Sequence, residues 1–140
     1  MTIKKIEKKK IFPRGTIVLQ TIAMPAHINA NGNIFGGWIM SQMDIGGGIL
    51  AKEISGGRVV TGCVSNIVFL HSISIGDLVS CYAKCLSIGK SSLTISIEIW
   101  IKKMCAIKTG QFYCTSEALF IYVAVDNNGK SRKLLPMSIL

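Results

Sequence analysis

The sequence is poor in acidic side chains: seven Asp and Glu stand against sixteen Lys and Arg, a formal net charge of +9. It has no C-x-x-C pair, and its five cysteines (Cys63, Cys81, Cys85, Cys105, Cys114) are an odd number. That spacing argues against a disulfide framework and against a zinc site, and leaves buried free thiols in a reducing compartment as the expectation. No serine occupies a G-x-S-x-G elbow, so a serine-histidine hydrolase finds no support. There is no internal repeat, and no recognisable nucleic-acid motif accompanies the positive charge. An uninterrupted apolar run of membrane-spanning length is missing too. Hydrophobic residues make up 49% of the chain and mean hydropathy is +0.46, but the longest apolar stretch, residues 34–51, is broken by Ser41, Gln42 and Asp44 and holds five glycines. It makes a poor spanning helix.

The positive charge is unevenly spread. Lys4, Lys5, Lys8, Lys9 and Lys10 open the chain, and Lys130, Arg132 and Lys133 lie near its end, so the body between is less basic than the total. Pro13, Arg14 and Gln20 interrupt what would otherwise resemble the apolar part of an export signal. Residues 1–14 therefore read as a solvated basic tail, residues 15–136 as a single folded domain and residues 137–140 as a C-terminal end, with a cytoplasmic location expected.

Within the body the periodicity changes once. Residues 16–23, TIVLQTIA, are β-branched and apolar, which predicts a first strand ended at Met24 and Pro25. An Asn- and Gly-rich loop follows, residues 27–35. Trp38, Ile39, Gln42, Met43, Gly46, Ile49, Leu50 and Glu53 then recur at helical spacing, predicting a helix of about five turns that opens at Gly36 and Gly37 and closes near Ser55, Gly56 and Gly57. Three glycines inside it, Gly46, Gly47 and Gly48, each cost about 1 kcal/mol relative to alanine. Close approach of a sheet, a ligand or a partner helix is the expected reason.

After the helix the period is two. Residues 59–70 read as one or two strands, Gly76 and Asp77 as a turn, residues 78–88 as a strand, and Gly89 and Lys90 as a two-residue hairpin turn. Leu93, Ile95, Ile97, Ile99 and Ile101 alternate with polar or amphipathic residues, so one face of that strand lies on a core. A last strand over residues 112–125 ends at Asp126-Asn127-Asn128-Gly129. One long helix against an antiparallel sheet is an α+β layout, with curved strands wrapping the helix.

Asp44 is the only carboxylate between Glu7 and Glu53. On the helical wheel its neighbours are Met40, Met43, Gly47, Gly48 and Ala51, so it faces a partly desolvated space. Such a group is either paired structurally or used as a base or nucleophile, and position alone does not choose. Gly36 and Gly37 bring free N–H groups and the positive end of the helix dipole, donors of the kind that can hold an oxyanion; tight packing at a turn explains them equally. Asn29, Asn31 and Asn33 have the composition of turn formers.

Residues 24–60, MPAHINANGNIFGGWIMSQMDIGGGILAKEISGGRVV, resemble the signature region of the YciA-type acyl-CoA thioesterases of the hot-dog superfamily. Residues 67–88, 91–103 and 118–136 are similar to that family's strands. The resemblance implies hydrolysis of acyl-CoA to a fatty acid and CoA without metal or organic cofactor, with Asp44 as general base or nucleophile. It implies a site at a dimer interface, where the helix start, Gly36 and Gly37, polarises the thioester carbonyl and Asn29 assists from across. Arg58, Lys90, Ser91 and Ser92 are the expected contacts to the CoA phosphates. Dimers, joined through a sheet edge, often assemble further into hexamers in this family. The sequence departs from the pattern at His27-Ile28, where Asp-Thr is usual, at Asn33 for Asp, at Gly48 for Ala, and at His71-Ser72 for a basic residue and proline. Three other readings remain beside this one. A hot-dog dehydratase would want a histidine near the helix, which has none; a binding module for acyl-CoA or an acyl carrier would keep the fold without turnover. A nucleic-acid binder rests on charge alone.

Overall fold

The punctuation of the chain by glycine, proline and asparagine corresponds closely to its element boundaries. A computed structural model describes residues 11–105, 107 and 109–134. Most of the expected basic tail, residues 1–10, and the end of the chain from residue 135 lie outside them. Strand β1 spans Thr16–Ile22, helix α1 Gly36–Ser55, β2 Val59–Phe69, β3 Leu78–Ile88, β4 Ser92–Lys102 and β5 Phe112–Ala124. A 3-10 turn, Pro25–His27, starts the loop between β1 and α1.

The five strands form one antiparallel sheet in the order β1-β3-β4-β5-β2. Helix α1 packs on all five. This is the curved sheet around one long helix that the sequence predicts. β4 is central, and its inward side chains Leu93, Ile95, Ile97, Ile99 and Ile101 are completely buried. Met43 and Ala51 of α1 meet them in the same core.

Two of the three helix glycines have the expected reason. A methyl group on Gly46 would stand 2.7 Å from Cys81 Sγ, and one on Gly47 2.5 Å from Ile97 Cδ1. Neither distance is possible, so the helix lies on the sheet only because both positions are bare. Gly48 is different: a methyl there would be 3.8 Å from its nearest neighbour, an ordinary contact.

Of the one or two strands expected over residues 59–70 there is one, Val59–Phe69, with two register shifts against β5. Several details depart from the sequence expectation. The β3–β4 turn lies one residue further on, because Gly89 pairs with Ser92 through its N–H at 2.7 Å and leaves Lys90 and Ser91 as the loop. The outward face of β4 is not all solvated. Glu98 and Trp100 are 1% exposed, with the Trp100 indole donating to Glu98 at 3.0 Å and the Arg14 backbone N–H at 3.1 Å. Asp77 is not a plain turn residue either; it is 4% exposed and paired with Lys103 at 2.8 Å. All five cysteines are free, but only Cys81 and Cys114 are buried, whereas Cys63 and Cys105 are exposed.

Helix α1 is closed by two devices. Gly56 takes the left-handed conformation, φ 70°, and returns its N–H to Lys52 O. The Arg132 guanidinium donates to Ser55 O at 3.2 Å and to Ser55 Oγ at 3.3 Å, and also reaches Arg58 O and Val125 O. One side chain thus ties the helix end to the start of β2 and the segment after β5.

Candidate active site

Asp44 sits two turns into α1, on the side facing β2 and β5. It is half-buried. Its Oδ1 accepts from Thr61 Oγ1 at 2.5 Å and lies 3.2 Å from the Tyr122 hydroxyl, which also donates to the Asp44 main-chain oxygen at 2.9 Å. Among the described residues neither of these two side chains bonds Oδ2. Burial first, and then the adjacent Asp44 charge, hold the Tyr122 phenol well above its ordinary pKa, so it remains a proton donor at all working pH values.

The carboxylate opens into a groove of about 580 Å³ lined by Asp44, Ile45, Gly48, Ile49, Lys52, Arg58, Val59, Thr61 and Tyr122. Ile45 and Ile49 are exposed apolar surface along the helix. Lys52 and Arg58 put two cations at the other end of the groove. A carboxylate, an apolar wall and a cationic end suit a substrate that is part apolar and part anionic.

The helix start offers a second set of groups. Its cap residue, Phe35, supplies no side-chain bond to the first N–H groups, and a methyl on Gly37 would meet nothing within 4 Å. Gly37 is exposed and Gly36 half-buried at the helix start, where the first N–H groups have no partner within the helix. Gly36 has the Phe69 ring 3.4 Å from where its Cβ would be.

A model of the thioesterase superfamily matches residues 31–105, more than half of the chain. The chain belongs to the thioesterase superfamily. It is similar to an uncharacterized acyl-CoA thioester hydrolase of Buchnera aphidicola from Acyrthosiphon pisum, 63% identical over 96% of this chain and 98% of that protein. It is 59% identical to the acyl-CoA thioester hydrolase YciA of Salmonella typhimurium, over 87% of this chain and 92% of the relative. Among solved structures it superposes on a hexameric thioesterase from Yersinia pestis with a TM-score of 0.86 and 57% identity, covering 89% of this chain and all of that one. The hot-dog architecture is thus established alongside the family.

Within this thioesterase chain the sequence-derived site residues fall into three groups. Asp44 and Arg58 share the groove. Lys90, Ser91 and Ser92 lie at the same end of the sheet as Arg58: Ser91 O accepts from Ala124, whose partner across β2 is Val59. They do not line the groove. Gly36, Gly37 and Asn29 lie towards the opposite end of the helix. Seven residues of helix separate Gly37 from Asp44, about 10.5 Å of rise, so one chain does not bring the donors and the carboxylate to one carbonyl.

Asn29 is a turn former, as its composition predicts. Its Oδ1 accepts from the N–H groups of Asn31 and Asn33 at 2.9 and 3.2 Å. His27 stacks on Trp38 with ring centroids 4.8 Å apart, which ties this loop to the first turn of α1. Among the described residues, no group of three or more His, Cys, Asp or Glu could hold a metal ion, and no helix is long and apolar enough to cross a membrane.

Sequence reasoning missed Thr61, Tyr122 and Lys52. The alternation of β5 held a signal for Tyr122: Ala118, Phe120 and Ala124 share its inward face, and a buried phenol needs a partner for its hydroxyl.

Proposed function

We propose that the protein hydrolyses acyl-CoA thioesters, and that Asp44 is its catalytic carboxylate. One observation carries the assignment: a half-buried carboxylate, fixed through one oxygen by Thr61 and Tyr122, faces a groove with an apolar wall and a cationic end. The names of the relatives support the substrate class.

Two routes use the same atoms. As general base, Asp44 takes a proton from water, whose oxygen attacks the carbonyl carbon; the C–S bond breaks and the leaving CoA thiolate receives the proton. As nucleophile, the carboxylate attacks first and forms a mixed anhydride with loss of CoA thiolate, and water then cleaves the anhydride. Both build negative charge on the carbonyl oxygen, which calls for N–H donors about 3 Å away.

Because the donors of Gly37 lie too far along α1 from Asp44 of the same chain, the working site takes them from a second copy, with Gly36 beside them. Asn29 assists from that copy's loop. The edge strand β2 is the natural seam: it carries Thr61, its outer edge is unpaired in the sheet, and Val60, Val68 and Phe69 are exposed along it. Dimers joined there assemble further into hexamers. Arg58, Lys90, Ser91 and Ser92 then hold the CoA phosphates at the cationic end. We assign the protein to the cytoplasm, in keeping with free buried thiols.

Chromatographic detection of released CoA tests the reading, with wild type and Asp44→Ala compared over short, medium and long acyl chains. Turnover that falls by orders of magnitude in a folded Asp44→Ala protein supports it. Turnover unchanged by the substitution overturns the site, and a wild type that releases no CoA overturns the function.

A further inference from the structure

We propose that Tyr122 is a positioning residue for Asp44, holding the carboxylate in the orientation that presents Oδ2 to the substrate. The inference rests on the hydrolase reading above and adds a residue that never touches the reacting atoms.

The geometry begins in the sheet. Tyr122 belongs to the inward row of β5, between Phe120 and Ala124, and it is 1% exposed. Its ring crosses the core and ends at the backbone of α1. Only a residue without a side chain at position 47 leaves room for that, since a Cβ on Gly47 would stand 2.5 Å from the hydroxyl and 3.1 Å from Cε2. The helix thus accepts a poor helix former, and the result is a phenol delivered to the carbonyl and carboxylate of Asp44.

The hydroxyl reaches two oxygens of one residue, the main-chain O at 2.9 Å and Oδ1 at 3.2 Å. A single rigid group near both ends of the side chain restricts rotation about its bonds. Thr61 acts on Oδ1 from β2, so the two hydroxyls, from strands on neighbouring positions in the sheet, grip the same oxygen. The other oxygen is left to do chemistry. Because burial keeps the phenol protonated, Tyr122 donates throughout and transfers no proton itself.

The test removes one oxygen atom. In Tyr122→Phe the ring still fills its place, and kcat is expected to fall about 10- to 100-fold, the usual worth of a hydrogen bond to a charged group, with KM within about twofold. In an Asp44→Asn background the same substitution has no further effect on the residual rate. A purely structural tyrosine gives another pattern: a lower melting temperature with kcat unmoved, which overturns the proposal. A wild type without turnover defeats the hydrolase reading separately. The crystal structure of Tyr122→Phe then decides: a carboxylate turned away from Thr61 upholds the positioning role, and one that has not moved overturns it.

Discussion

The Tyr122 hydroxyl occupies the space that a methyl group on Gly47 would need, the two being 2.5 Å apart if both were present. The three consecutive glycines of α1 are therefore not equivalent, although the sequence treats them alike. Gly46 and Gly47 are required by the sheet. Gly48 carries only its entropic cost.

Gly48→Ala is accordingly expected to raise stability by about 0.5 to 1 kcal/mol, the difference in helix propensity, while Gly47→Ala lowers it by about 1 to 3 kcal/mol through overpacking against Ile97 and Tyr122. Urea unfolding of the two variants checks the opposite signs. A Gly48→Ala protein no more stable than wild type would mean that the groove, and not helix propensity, governs that position.

The sequence made α1 legible because both ends are marked by backbone chemistry: two glycines at the start, and a left-handed Gly56 at the end. The strands were legible from alternation, most clearly in β4. The site was legible only in part, because Thr61 and Tyr122 lie 17 and 78 residues from Asp44 and meet it through sheet register. A similar limit hid Asp77, which beside Gly76 has the composition of a turn and is in fact held by Lys103, 26 residues away. The β3–β4 turn was misplaced by one residue for a different reason. Glycine is a common turn former, yet Gly89 closes the hairpin with its N–H on Ser92 O, one residue past the last ladder pair Ile88–Leu93, and the bend falls on Lys90 and Ser91.

The Asp77–Lys103 pair gives a prediction with a pH window. Burial opposes the charged form of Lys103, but the hydrogen bond and charge of Asp77, helped by Tyr113, outweigh it and raise the lysine above its ordinary value of 10.5. A pKa raised on folding contributes stability in full below the unfolded value and loses it as pH rises through the folded one. Lys103→Met should thus cost about 3 kcal/mol at neutral pH, because it leaves a buried carboxylate without its cation. The gap from wild type should narrow only above pH 10.5. Denaturation of both proteins at pH 7 and pH 11 measures it; a gap that closes already between pH 7 and 9 would contradict the assignment.

Arg132 lies outside the proposed chemistry, so its effect should be on stability alone. Its guanidinium meets Ser55, Arg58 and Val125, and Arg132→Ala removes all of these bonds at the end of α1. A loss of about 2 kcal/mol is expected, together with faster amide exchange in the last turn of the helix and the first residues of β2. Exchange that changes only near residue 132 would show that the guanidinium does not fasten these segments together.

Asn29 separates loop shape from catalysis because its two amide atoms have different work. Oδ1 shapes the loop by accepting from Asn31 and Asn33, so an aspartate at this position keeps the turn while it removes the Nδ2 donor. Asn29→Ala loses both. If the amide donates to the thioester carbonyl across the interface between two copies, Asn29→Asp should keep the wild-type melting temperature within about a degree and still lower kcat about 100-fold or more, the scale of a lost oxyanion donor. Asn29→Ala should show the same loss of turnover with a lower melting temperature added. Steady-state kinetics beside thermal melts of both variants give the answer. An Asn29→Asp enzyme with full activity would confine Asn29 to the turn and leave the helix-start N–H groups as the donors the carbonyl requires.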